Sequence, residues 1–201
     1  MALQLPNGNA PISMKQICLA DIAVGLAGLA AAAASIWAVP GAGGLLGAGL
    51  ALLMLAIAIV DFRHMIIPNQ LSAAALALAI INAGIADNAS IVDGITAAAL
   101  RGSLTMLFFL ALRAAYGWLR QREGIGLGDV KLAFVAGAWL DWVMIPVAIE
   151  IAALVALIAY GAWHLVAKQP FNATSRLPFG LFFAPAIWLS WLIGEVIIGL
   201  L

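Results

Sequence analysis

The sequence predicts an all-α integral membrane protein, a polytopic bundle of about six to seven transmembrane helices. Hydrophobic residues make up 66% of its 201 residues, whereas charged residues make up only 9%. The mean hydropathy is +1.13, and apolar stretches of about 20 residues, the length that crosses a bilayer, recur from residue 17 to the C-terminus. A water-soluble domain of this size could not bury so much apolar side chain.

Glycine, proline, asparagine and charged residues divide the apolar sequence into seven segments. The predicted helices cover residues 17–39, 43–62, 69–86, 92–119, 128–140, 143–167 and 179–200. The fifth segment is short, and "WLDW" at 139–142 is either a turn or a kink, so six spans with one broken helix is the alternative. The first segment has some features of a signal peptide, but it lacks a convincing cleavage site, and we expect the protein to retain it.

The basic residues indicate an orientation, because cytoplasmic loops and helix ends carry the excess of lysine and arginine. The predicted loops at one end of the bundle, 40–42, 87–91 and 141–142, contain neither residue type. We therefore expect the opposite end to face the cytoplasm, with residues 1–16 as a short cytoplasmic N-terminus. The basic residues at that end are Lys15, Arg63, Arg120, Arg122, Lys131, Lys168 and Arg176.

The composition argues against several kinds of partner. The formal net charge is zero and no run is dense in lysine or arginine, which argues against a nucleic acid partner. Cys18 is the only cysteine, so disulfides within the chain and cysteine-rich zinc sites are excluded. His64 and His164 are the only histidines. We expect neither a metal nor a cofactor, and the sequence does not indicate the oligomeric state.

Ionisable residues inside the predicted spans need partners, because a charge within a bilayer is costly. Arg101 and Glu150 lie at similar heights on the fourth and sixth helices, at about 1.5 Å per residue, so we expect them to form an ion pair. Arg113 lies near the cytoplasmic end of the fourth helix. There it either pairs with Asp21 or borders the pair of aspartates considered next.

Two aspartates, Asp61 and Asp129, are predicted at the same depth of the bundle. Asp61 ends the second predicted helix, and Asp129 opens the fifth within "GIGLGDVKL". The orientation of the helices places both at the cytoplasmic boundary, where they can be neighbours. Taken singly, each has a structural interpretation, Asp61 as an interfacial anchor paired with Arg63 and Asp129 as a helix N-cap.

Two neighbouring carboxylates can share one proton, because close like charges cannot both ionise. The ionised carboxylate can then take a proton from a water that attacks a peptide carbonyl, while the protonated one donates to the carbonyl oxygen. Asp129 opens a helix, where the helix dipole favours negative charge, whereas Asp61 closes one. We therefore expect Asp129 to ionise more readily and Asp61 to hold the shared proton.

Three motifs resemble those of the type IV prepilin peptidases, which are membrane-embedded aspartic proteases of the glycine-x-glycine-aspartate kind. "DFRHMIIPNQLS" at 61–72 and "GIGLGDVKL" at 124–132 resemble the two catalytic segments of that family. "LPFGLFFAP" at 177–185 resembles the segment that opens its last helix, although Leu181 stands where proline is common. The resemblance implies that Asp61 and Asp129 are the catalytic pair. It also implies that the site is shaped by Pro68, Asn69, Gly126, Gly128, Lys131, Pro178, Phe179 and Gly180.

The resemblance covers about residues 45–200, so we divide the chain into a first transmembrane helix at 17–42 and a peptidase-like core at 43–201. It implies that the protein removes the short leader of type IV prepilins or pseudopilins, just before the hydrophobic helix of the substrate. The expected location is the bacterial inner membrane, with the site on the cytoplasmic side. The expected partners are those substrates and the lipid bilayer.

Larger members of that family carry an additional N-terminal region, often with paired cysteines, that is associated with N-methylation. Here the segment before the first helix is "MALQLPNGNAPISMKQ", which has no cysteine. We therefore expect peptidase activity without N-methyltransferase activity, as in the short members that serve tight-adherence (Flp) pili.

Two other functions remain open from the residues alone. One is a non-catalytic assembly factor for a pilus or secretion system, which would have the fold without turnover. The other is a membrane transporter in which the carboxylates relay protons. A relay favours carboxylates spread across the membrane, whereas Asp61 and Asp129 are predicted at one end.

Overall fold

The computed structural model describes residues 14–86, 90–120, 124–167 and 178–200, and the regular structure within these ranges is entirely α-helical. This confirms the predicted all-α bundle, and the predicted helix bounds agree within three residues. The predicted N-terminal segment 1–16 lies mostly outside the described residues, as do Arg122, Lys168 and Arg176. The helices are α1 (Met14–Ala38), α2 (Ala42–His64), α3 (Asn69–Ala86), α4 (Ile91–Arg120), α5 (Leu127–Trp139), α6 (Met144–Ala167) and α7 (Phe179–Leu200).

Four of the helices are long and apolar enough to cross a bilayer. They include Ala42–His64, Ile91–Arg120, Met144–Trp163 and Phe179–Ile197. The described apolar parts of α1 and α3 are somewhat shorter. These lengths make the chain a multi-pass membrane protein.

Helix α5 has 13 residues, which at about 1.5 Å per residue extends about 20 Å, less than the hydrocarbon core of a bilayer. It ends at Trp139, and a turn follows in which the Asp141 carbonyl accepts the N–H groups of Met144 and Ile145. The "WLDW" stretch is therefore the connection between two separate helices. This agrees with the seven-segment interpretation rather than with one kinked helix.

Helix α5 lies at the centre of the bundle, in contact with α3, α4 and α7. Beyond its first turn it is buried at almost every position, as expected for a helix that is apolar on all sides. Two glycines allow its close contact with α4: a Cβ at Gly137 would lie 2.6 Å from the Arg101 carbonyl oxygen, and one at Gly102 would lie 2.9 Å from the Phe134 carbonyl oxygen. Small residues have this role where membrane helices pack closely.

Helix α2 packs extensively against both α7 and α1. Leu50, Met54 and Ile57 of α2 are fully buried in this core. Helix α1 is attached to the outside of α2 and α7, where the indole N–H of Trp188 donates to the hydroxyl of Ser35 at 2.9 Å. Helix α6 packs chiefly against α7.

The predicted ion pair between Arg101 and Glu150 is wrong. Nε of Arg101 donates instead to the carbonyl of Gly137 on α5, at 3.4 Å. Glu150 is exposed on α6, which packs against α7 and not closely against α4. The two residues were matched by depth, but depth along the bundle does not determine which helices are neighbours.

Replacing Gly47 with alanine is expected to destabilise the bundle, because a Cβ there would lie 1.8 Å from the Trp191 ring. Overpacking of this kind costs about 1–3 kcal/mol. Gly161→Ala is the matched control, since nothing lies within 4 Å of a Cβ on that helical glycine. The measurement is thermal unfolding of both variants in detergent. Equal unfolding temperatures for the two variants would contradict the packing described here.

Candidate active site

Asp61 lies in the last turn of α2 with its side chain only 5% exposed. Its Oδ2 accepts the backbone N–H of Leu181 at 3.0 Å, and the N–H of Gly180 also faces the carboxylate. These two N–H groups belong to the first turn of α7, where helix amides have no partner within the helix and the dipole favours negative charge. The start of α7 therefore forms an anion-binding site for the carboxylate of α2.

The "PFG" segment places the start of α7 against Asp61. A Cβ at Gly180 would lie 2.8 Å from Oδ2 of Asp61, so a larger residue would displace the carboxylate. Phe179 stacks on Phe183 with ring centroids 5.4 Å apart, and Phe183 continues into the buried core. Pro178 immediately precedes the helix, and its carbonyl accepts the N–H of Leu181. Pro178, Phe179 and Gly180 thus contribute in different ways to the close contact between the start of α7 and Asp61.

Asp129 is the third residue of α5, and Gly126 is the N-cap of that helix. Oδ2 of Asp129 accepts the N–H of Gly126 at 3.2 Å, as a carboxylate does in a capping box. The pKa of the Asp129 carboxyl is raised from its ordinary 3.8 to about 6. Burial is the main cause, the Gly126 hydrogen bond partly offsets it, and the negative charge of Asp61 adds a smaller increase. The two aspartates are therefore close enough for the charge of one to act on the other.

Ile67 packs between the two helix starts, a role that the sequence analysis missed. It lies in the loop between α2 and α3 and is 9% exposed. A Cβ at Gly128 would lie 3.1 Å from two of its carbons, and a Cβ at Gly180 would lie 2.9 Å from its Cδ1. The only sequence signal was its place in "IIPN", directly before Pro68.

The Pro68 and Lys131 positions connect α3 to the same region. The Pro68 carbonyl accepts both the N–H and the hydroxyl of Ser72, in the first turn of α3. Nζ of Lys131, which is exposed, donates to Oδ1 of Asn69 at 2.8 Å. This side-chain bond joins the start of α3 to the start of α5. All ten residues that the sequence analysis assigned to the site thus lie in contacts at one end of the bundle.

Arg113 borders this region, which was one of the two predicted possibilities. Its Nη1 donates to the carbonyl of Ile125, in the loop that leads into α5. A Cβ at Gly124 would lie 2.4 Å from the Tyr116 ring, so α4 also contacts the loop one residue earlier. The alternative partner, Asp21, lies in α1, but its side chain is outside the described part of the chain.

The structure changes the argument about which aspartate holds the proton. The sequence-based argument considered only the dipole of the helix to which each aspartate belongs. The start of α7 now lies against Asp61, so each carboxylate has a helix N-terminus beside it. The assignment of the proton to Asp61 stays a prediction. Within the described ranges, no cluster of three or more His, Cys, Asp or Glu side chains could hold a metal ion.

Comparison with known proteins matches residues 48–161, which include both aspartates, to the type IV leader peptidase family. A prepilin leader peptidase/N-methyltransferase of Aeromonas hydrophila is 28% identical over 172 residues, which are 86% of this chain and 57% of the relative. Those of Pseudomonas aeruginosa and Burkholderia pseudomallei are 31% and 32% identical over 72% and 78% of this chain, and over 48% of each relative. The chain spans about half the length of the curated relatives that it matches. No solved structure matches it significantly.

The raised pKa of Asp129 predicts that the native state loses stability as the pH rises. Because the folded carboxyl holds its proton more tightly than the unfolded one, its contribution is full below about 3.8 and is lost as the pH rises to about 6. The unfolding temperature of the wild type, relative to Asp129→Asn, should therefore fall across this interval. Asp93→Asn, at an exposed aspartate, is the control. A wild-type difference that stays constant with pH would contradict the raised pKa.

Arg113→Met should loosen the loop before α5, because the Ile125 carbonyl loses a charged donor worth about 1.5–3 kcal/mol. Amide hydrogen exchange in residues 124–130 is expected to become about tenfold faster or more. Arg120→Met, at the exposed end of the same helix, should leave the exchange unchanged. Equal exchange in both variants would show that the Arg113 contact does not hold the loop.

Proposed function

Since the chain belongs to the type IV leader peptidase family, we propose that it is a membrane endopeptidase that removes the leader of type IV prepilins or pseudopilins, with Asp61 and Asp129 as its catalytic pair. The observation that carries the proposal is that the two carboxylates lie near each other at one end of the bundle. Each faces a helix start, and the charge of one acts on the other.

In the proposed mechanism the two carboxyl groups share one proton. The ionised carboxylate removes a proton from a water molecule as the water oxygen attacks the scissile carbonyl carbon. The protonated carboxyl donates to the carbonyl oxygen, where negative charge develops. Transfer of a proton to the amine then allows the C–N bond to break. The pKa of about 6 for Asp129 supports a part in proton transfer. A group that gives and takes protons works best when its pKa lies near the pH of its surroundings.

An apolar cleft beside the site supports a hydrophobic substrate. The cleft has a volume of about 330 Å³ and lies between α3, α4 and α5. Lys131 and Asn69, joined by their hydrogen bond, stand at its polar end. We infer that the cleft receives apolar side chains of the substrate helix that follows the cut. Its lining consists of Asn69, Ser72, Ala73, Leu76, Met106, Lys131, Phe134 and Val135.

We place the protein in the bacterial inner membrane, with the site facing the cytoplasm. The support is the excess of lysine and arginine at the end of the bundle that carries the aspartates. Among the described residues, Arg63, Arg120 and Lys131 belong to that end. A prepilin leader on the cytoplasmic side would approach the end of the bundle that carries the two carboxylates.

The relatives are named for N-methyltransferase activity as well as for peptidase activity. We propose peptidase activity alone for this chain, with the tight-adherence pilins as the substrate class. The mass of the new N-terminus distinguishes the two activities, because methylation adds a methyl group to the cleaved product.

Substituting either aspartate by asparagine should abolish cleavage, because an amide can neither accept the proton of water nor share one with its partner. The assay co-expresses a prepilin from the same genome with the wild type, Asp61→Asn or Asp129→Asn. Leader removal is measured by mass spectrometry of the pilin, with an expected loss of at least a hundredfold for each variant. Asp93→Asn, at the other end of the bundle, should cleave normally.

The outcomes of this assay also separate the alternatives. Cleavage that survives in either variant, at normal membrane levels, would refute the two-aspartate mechanism. A wild type that cleaves no candidate prepilin would favour the assembly factor or the proton relay. A relay would additionally conduct protons in vesicles, and the same two variants would stop that conduction.

A further inference from the structure

A second cavity opens at the end of the bundle opposite the aspartates. It lies where α3, α5 and α7 approach their C-terminal ends and α4 and α6 begin, and its volume is about 360 Å³. Ligand sites commonly have volumes from about 300 Å³ upward. The cavity is lined by Asn82, Ala83, Gly94, Ala97, Arg101, Ala138, Trp139, Leu140, Asp141, Met144, Trp191, Gly194 and Glu195.

Two buried indoles form part of the wall of this cavity. Trp139 and Trp191 are each 4% exposed, and their rings meet edge to face with centroids 6.3 Å apart. Nε1 of Trp191 faces the Glu195 carboxylate, whereas Nε1 of Trp139 has no hydrogen-bond partner among the described residues. The two rings therefore form an apolar side of the cavity, next to the carboxylate of Glu195.

The cavity also contains three charged side chains that the proposed peptidase mechanism does not use. Arg101 engages the Gly137 carbonyl through Nε, which leaves the other guanidinium donors for a ligand. Asp141 lies in the exposed turn before α6, and its charge acts unfavourably on Glu195 of α7. A cation between these two carboxylates would relieve their repulsion.

We propose that this cavity binds a zwitterionic ligand that carries a phosphate and a primary ammonium group, the chemistry of phosphoethanolamine. The phosphate oxygens would accept from the guanidinium of Arg101. The ammonium group would donate to Asp141 and Glu195. An anion alone would face both carboxylates, and a cation alone would face Arg101, so a ligand with both groups matches the charges of the lining.

The position of the cavity agrees with a ligand from the membrane surface. Trp142 and Val143 lie beside it in the turn before α6, and their side chains are 53% and 71% exposed. Tryptophan is enriched where a membrane protein meets the headgroup layer. An ethanolamine phospholipid of that layer and a soluble phosphoethanolamine compound share the same headgroup chemistry, and experiment can separate the two sources.

The test is ligand binding by the full-length protein in detergent, followed by native mass spectrometry and thermal shift. The probes are phosphatidylethanolamine, phosphatidylcholine, phosphatidylglycerol and soluble phosphoethanolamine. We expect phosphatidylethanolamine to bind about tenfold more tightly than phosphatidylcholine, whose quaternary ammonium has no N–H to donate. A thermal shift with soluble phosphoethanolamine would assign the site to a soluble ligand, and a shift with the lipid alone would assign it to the bilayer.

Asp141→Asn and Glu195→Gln should each remove most of the preference for phosphatidylethanolamine. Asp141 is exposed, so its variant is expected to fold, which gel filtration checks. Asp93→Asn, an exposed acid at the same end of the bundle, should keep the preference. Equal binding of the ethanolamine and choline lipids, or a preference unchanged in both cavity variants, would overturn the proposal. Prepilin cleavage is measured separately and does not enter this test.

Discussion

Three backbone segments meet on the side chain of Ile67, and the positions of both carboxylates depend on that contact. The loop that leaves α2 carries Ile67, while Gly128 at the start of α5 and Gly180 at the start of α7 approach it from two sides. The separations are so small that a methyl group on either glycine would crowd the isoleucine. Because one apolar side chain spaces the two helix starts, the N–H groups that face Asp61 and Asp129 are held in fixed positions. The polar geometry of the site therefore rests on an apolar contact.

The short central helix α5 connects the two polar ends of the bundle. Its first turn carries Asp129, whose carboxylate bonds to the N-cap. Near its last turn, the Gly137 carbonyl accepts from Arg101, in the region of the second cavity. A helix of full transmembrane length would carry its ends to the membrane surfaces. At about 20 Å, α5 is shorter than that, and its C-terminal end lines the second cavity.

The helices and the pair of aspartates could be predicted from the sequence because their signals are local. Pro68 with Asn69, and the glycines before Asp129, mark helix starts directly, and counting helices assigns each end to a side. No local signal shows which helices lie side by side in the bundle. The predicted pairing of Arg101 with Glu150 was wrong for this reason. The same limit concealed the start of α7 beside Asp61 and the packing of Ile67. Both are contacts between segments that are far apart in the chain, and no local sequence pattern predicts such contacts.

The hydrogen bond from Leu181 to Asp61 joins residues that the ribosome adds far apart in time. The chain is made from its N-terminus, so α2 and Asp61 enter the membrane long before α7 exists. Until α7 is inserted, Asp61 lacks the amides that face it, and Ile67 lacks one of its two glycine neighbours. From residue 129 until α7 is made, the growing chain thus contains both aspartates without the complete set of contacts around them. Of the described helices, α7 is made last, and it completes the contacts around Asp61.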